Sequence, residues 1–115
     1  MKTIQDVQAA VEIFVNERDW QPFQSPKNLV MALTGEVGEL VEHFQWLTQE
    51  ESGELSIEQK SEVSDEMADV FIYLIRLADK LDIDLISAAE QKLEKNRIKY
   101  PIEKAKGNQT KYTKL

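Results

Sequence analysis

The stretch "LTGEVGELVEHFQW" (residues 33–46) decides the fold. Its apolar residues recur at spacings of three and four, the period of a helix with one buried face. Within that period sit Glu36 and Glu39, three residues apart, with glycines at 35 and 38. A second stretch, "DEMADVFIYLIRL" (65–77), repeats the arrangement with Glu66 and Asp69. At about 100° per residue, Glu36 lies about 20° outside the edge of its apolar stripe and Glu66 about 20° outside the edge of its own. Both pairs thus border a core. Like charges at i and i+3 repel, and the penalty grows with desolvation. Something must offset it.

Working outward, the chain reads as four helices and no strand. Thr3 with Asp6 forms a capping box, opening a helix that runs to about Arg18. "DWQPFQSP" breaks it, since Pro22 and Pro26 both disfavour helix at the preceding residue. Ser25 caps the second helix with Pro26 in first position, and its stripe is 29, 33, 37, 40, 44 and 47. "QEESGELS" reads as a polar loop. Ser56 with Gln59 opens the third helix, with stripe Val63, Met67, Val70, Leu74, Leu77 and Leu81. Asp84 caps a fourth, ending near Tyr100-Pro101. The expected architecture is all-α, a four-helix bundle-like subunit. The domain spans 1–101 and a polar, flexible tail spans 102–115. The third helix is apolar on most sides, with Phe71, Ile72 and Ile75 outside the stripe, so it needs neighbours on most sides. That predicts an intertwined helical oligomer rather than a lone bundle.

The composition narrows the classes. The chain has 115 residues, 42% hydrophobic and 30% charged, as a single globular domain would. Its net charge of −7 opposes binding of a nucleic-acid polymer, but not of one nucleotide beside a cation. No apolar run approaches the roughly 18–20 residues of a membrane span. "MKTIQDVQAA" lacks the apolar core of a signal peptide, and there are no cysteines. Both features predict a cytoplasmic chain.

Two acidic pairs on consecutive helices can meet as four carboxylates. Oxygen ligands suit a hard divalent cation, Mg²⁺ or Mn²⁺, and Mg²⁺ commonly completes its shell with substrate phosphates. Each pair alone reads more readily as a solvated helix face, and it is the two together that point to a cation. A di-iron carboxylate bundle would need two Glu-x-x-His motifs. The one histidine, His43, stands four residues after Glu39, and a structural role suits it better. Gly35 and Gly38 allow close approach of a ligand or of another helix. Trp20 and Trp46 could stack on a base or pack in a core. Lys92, Asn96 and Lys99 or Tyr100 share one face of the last helix. They could hold phosphates, or simply complement the helix dipole. Tyr73 lies on the acidic side of its helix.

Taken together, "RDWQPFQSPKNLVMALTGEVGELVEHFQW", "DEMADVFIYLIRLA" and "KLEKNRIKYP" resemble the MazG-like all-α nucleoside triphosphate pyrophosphohydrolases, and most nearly their dCTP pyrophosphatase branch. The resemblance spans roughly residues 14–101. It implies hydrolysis of a deoxynucleoside triphosphate to the monophosphate and pyrophosphate, as nucleotide-pool house-cleaning. It implies Mg²⁺ held by Glu36, Glu39, Glu66 and Asp69, with Glu36 or Glu39 as the catalytic base. It further implies that Trp20 and Trp46 line the base pocket, that Tyr73, Lys92, Asn96 and Tyr100 hold phosphate or sugar, and that the assembly is a tetramer built as a dimer of dimers. Where Gln24 stands, the resemblance leads one to expect a histidine in the animal dCTP-specific enzymes. Gln24 can still bond a base edge, so dATP or a modified dCTP stays open beside dCTP. The alternatives are a dUTP-preferring or broad dNTP hydrolase of the same family, a non-catalytic nucleotide-binding regulator, and a purely structural helical oligomer.

Overall fold

The computed structural model describes residues 1–115, which form two compact units, Met1–Asp82 and Ile83–Leu115. The first holds α1 (Ile4–Glu17), α2 (Pro26–Glu42), α3 (Gln49–Ser52) and α4 (Ile57–Lys80). The second holds α5 (Leu85–Lys99) and α6 (Ile102–Ala105). Short 3-10 turns occupy Gln21–Phe23 and Tyr112–Lys114, and there is no strand.

The helices begin where local chemistry directs. Thr3 accepts from the Asp6 amide while the Asp6 carboxylate accepts from the Thr3 amide. Ser56 and Gln59 repeat that reciprocal bond at the start of α4. Ser25 caps α2 ahead of Pro26, and Asp84 caps α5. Each cap satisfies amides that the first helical turn leaves without partners. Asp19 adopts a left-handed φ of 53°, which turns the chain so that the Trp20 amide bonds back to Val15.

Three sequence expectations need correction. α2 ends at Glu42, before Phe44 and Leu47: residues 43–46 continue as turns, and an extended Thr48 then caps a separate helical turn through a capping box with Glu51. The expected polar loop therefore contains the helical turn α3. On α4 the buried face is turned from the expected stripe. Val63 is buried as expected, but Ile75 and Ala78 are the other buried apolar positions, while Met67, Leu74 and Leu81 are exposed. The last three are seven residues apart, so they form a second apolar stripe along α4. The tail region is also partly helical, at 102–105 and 112–114.

In the first unit α4 is the central element and packs against α2 and α1. Val15, Leu29 and Ile75 are its most completely buried side chains. Among them lies Arg76, only 2% exposed. Its Nε donates to Gln24 Oε1 at 2.8 Å and its Nη2 to Gln21 Oε1 at 2.9 Å, while Nη1 bonds Glu12 of α1. Asp79 lies 3.7 Å from Nη1. Gln21 Nε2 in turn donates to Glu12 Oε1 and Asn16 Oδ1, and Lys80 donates to Gln21 Oε1. The guanidinium thus stitches α1 and the Pro-containing loop onto α4.

Removing Glu12 would leave that buried cation short of its nearest counter-charge. Glu12→Ala should lower unfolding free energy by about 2 kcal/mol in urea titration. A loss below about 0.5 kcal/mol would mean that the pair adds nothing to stability.

Candidate active site

α2 and α4 pack side by side, and this brings their acidic borders together. Carboxylate oxygens of Glu36, Glu39 and Glu66 lie within 4.8 Å of one another. Glu36 Oε2 and Glu66 Oε2 are buried and have no hydrogen-bond partner. Such orphaned acceptors are costly in a folded protein, and a cation is what an all-oxygen acidic set lacks. The donor set suits Mg²⁺ or Mn²⁺ and contains no sulfur or nitrogen that would draw a softer metal. Asp69, expected as the fourth ligand, is exposed, one turn after Glu66, and lies outside the 4.8 Å set.

The electrostatics match the geometry. Burial, then the adjoining Glu39 carboxyl, then the charges of Asp69 and Glu66 raise the Glu36 pKa from its ordinary value of 4.5 to about 7. Glu66 is raised by burial, by the adjoining Glu39 carboxyl and by the charge of Asp69, partly opposed by His43. His43 stands between two carboxylates, with Nδ1 3.7 Å from Glu62 and Nε2 3.8 Å from Glu66. It joins the C-terminal end of α2 to α4, in keeping with a structural role.

Asp69 also faces a cavity of about 370 Å³, whose lining includes Phe14, Trp20, Gln24, Tyr73 and Arg76. A second recess of about 240 Å³ shares Trp20, Gln24 and Tyr73 and adds Asn28. Three residues expected from the sequence to contact substrate therefore stand together. Trp20 is 44% exposed and held edge-on against Phe14, with ring centroids 5.7 Å apart. Trp46 does not join them: it follows α2, is 87% exposed and lines neither recess. Lys92, Asn96 and Tyr100 belong to the second unit, where Lys92 and Tyr100 are exposed and Asn96 is half-buried. Tyr100 follows the last residue of α5 and packs edge-on against Tyr112. Sequence reasoning missed Arg76 and Glu12. The usable signal was that Arg76 is the sole charge in the apolar run 70–78.

The chain is similar to known proteins over most of its length. The MazG-like family profile matches residues 32–115. Human dCTP pyrophosphatase 1 is 42% identical over 98% of this chain and 68% of its own length. The bovine protein of the same name is 41% identical with the same coverage. The crystal structure of a pyrophosphatase from Archaeoglobus fulgidus superimposes with a TM-score of 0.80 at 40% identity, covering 84% of this chain and 91% of that one. The chain belongs to the MazG-like family.

The raised carboxyls make stability depend on pH. Glu36 keeps its proton in the folded state where the unfolded chain has lost it, so this contribution is full below about pH 4.5 and falls as pH rises to about 7. Without divalent cation, the unfolding midpoint should drop across that window. Mg²⁺ should restore it more at pH 8 than at pH 5, as read by thermal melts. An equal Mg²⁺ effect at both values would remove the cluster as the binding site.

Proposed function

We propose that this protein hydrolyses deoxynucleoside triphosphates, dCTP or a closely related one, to the monophosphate and pyrophosphate. The reaction class rests on the family: the chain is a nucleoside triphosphate pyrophosphohydrolase. The observation that carries the site assignment is the pair of orphaned carboxylate oxygens on Glu36 and Glu66 beside Glu39.

In this reading Glu36, Glu39, Glu66 and Asp69 hold Mg²⁺, with Mn²⁺ as a substitute. When bound, the cation supplies positive charge against the triphosphate oxygens. A water oxygen forms a bond to one phosphorus of the α–β anhydride. The bridging P–O bond breaks, and the pyrophosphate or the nucleotide leaves with the electron pair. The water's proton passes to a carboxylate oxygen of Glu36 or Glu39, which stand together in the acidic cluster. Trp20 stacks on the base and Gln24 bonds its edge. Tyr73 binds phosphate or sugar, and the family resemblance makes Lys92, Asn96 and Tyr100 of the second unit further candidates for phosphate and sugar contacts.

The site is completed by other copies of the chain. Exposed apolar side chains line α2 at Val30, Val37 and Val41, and α4 at Met67, Phe71 and Leu74. Faces of this kind need a partner. A tetramer made as a dimer of dimers, bundle-like at its interfaces, would cover them and bring in Trp46. A Cβ at Gly35 or Gly38 would meet nothing within 4 Å in the single chain, so those glycines are explained by what covers the α2 surface in the assembly. Gly38→Ala should then weaken association in light scattering despite gaining about 1 kcal/mol of helix propensity. Unchanged assembly with higher stability would assign that surface to solvent.

Pyrophosphate release from each dNTP and NTP, with and without Mg²⁺, tests the activity. Glu36→Gln and Glu66→Gln should each lose on the order of 10²-fold or more in turnover. Both should also gain stability in the absence of cation, because each removes a repelling charge. Glu39→Ala with full turnover and ordinary Mg²⁺ dependence would end its role. Tight nucleotide binding with no pyrophosphate released would favour a non-catalytic regulator.

A further inference from the structure

We infer that Arg76 is a positioning residue: it turns the Gln24 amide so that its NH₂ group faces the base, and this makes the site select cytosine over uracil and thymine. The inference rests on the reading that Gln24 contacts the base.

Gln24 lines both recesses beside Trp20 and Tyr73, so it stands where a stacked base would present an edge. A glutamine amide is ambiguous, since its oxygen accepts and its nitrogen donates. Arg76 resolves the ambiguity. Its Nε–H donates to Gln24 Oε1 at 2.8 Å. With the amide reversed, N–H would face N–H at that distance. Rotation of the guanidinium cannot relieve the clash, because the group is buried and its other nitrogens are bonded to Glu12 and Gln21. Gln21 is itself locked, its nitrogen donating to Glu12 and Asn16 and its oxygen accepting from Lys80. The side-chain nitrogen of Gln24 forms no hydrogen bond within the protein, so it is free to donate to a ligand.

A fixed donor set against ring position 3 distinguishes the pyrimidines, and that is the register the inference requires. Cytosine N3 is an acceptor flanked by the O2 acceptor. Uracil and thymine carry N3–H, which would oppose the amide donor. A buried mismatch of this kind is worth about tenfold or more in binding. Neither an arginine nor an amide titrates between about pH 5 and 10. The selectivity should therefore be independent of pH even where the rate is not.

The test is the ratio of kcat/KM for dCTP to that for dUTP. A global defect lowers both and leaves the ratio alone. The native protein should favour dCTP about tenfold or more at pH 6.5 and pH 8.5 alike. Gln24→Glu replaces the donor with an acceptor that can still bond Arg76, and should reverse the preference. Arg76→Lys keeps the charge but loses the planar fork, frees the amide to rotate and should bring the ratio towards one. A native preference for dUTP overturns the inference, as does an unchanged ratio in Gln24→Glu. Equal losses for both substrates in Arg76→Lys do so too. If Arg76→Lys does not fold, Gln24→Glu decides alone. If no substrate is hydrolysed, the hydrolase reading fails separately. Calorimetric binding of dCTP and dUTP to the native and Gln24→Glu proteins then supplies the same ratio.

Discussion

A guanidinium cannot be left bare inside a protein, and Arg76 sets the terms for the first unit. Arginine does not neutralise itself when buried, so its donors must be met by acceptors at fixed positions. Glu12 of α1, Gln21 and Gln24 of the Pro-containing loop, and Asp79 one turn along α4 meet them. The loop between α1 and α2 has only the 3-10 turn Gln21–Phe23 as regular structure, and its two glutamines, Gln21 and Gln24, tie it to α4 through this network. Glu12 shows the reciprocal effect, its carboxyl held below the usual range by bonding to Arg76. One buried cation therefore links helix packing to the shape of the recess beneath Trp20.

The acidic cluster works in the opposite sense. Arg76 is satisfied and stabilises what surrounds it. Glu36 and Glu66 are unsatisfied and strain the α2–α4 contact that brings them together. Burial of Leu29 on α2 and of Val63 and Ile75 on α4 supplies the apolar stabilisation that holds repelling carboxyls in place. Positive charge would relieve that cost, and the proposed hydrolysis of an anionic triphosphate would use positive charge there.

Much of this was legible in the chain. The four capping signals, at Thr3, Ser25, Ser56 and Asp84, placed the long helices because an N-cap bond is made between residues two or three apart and needs no tertiary context. The paired acids at 36 and 39 and at 66 and 69 were visible for a similar reason, since helix geometry alone puts each pair on one face. The Thr48–Glu51 box had the same signature but opened only a single turn. The phase of α4 was less legible, because that helix has two apolar stripes. Periodicity reports both and does not rank them. Arg76 looked like an interruption of an apolar run until its partners, 52 to 64 residues away in sequence, were seen.

The sequence by itself determined the class of fold and where the long helices begin, since both follow from short-range bonds and helical period. Only the tertiary structure decided that Glu36, Glu39 and Glu66 converge, that Ile75 and Ala78 rather than Leu74 face inward, and that Gln24 is held by Arg76. Those outcomes depend on how α1, α2 and α4 pack. Packing is set by the joint burial of residues far apart in the chain, which no local pattern records.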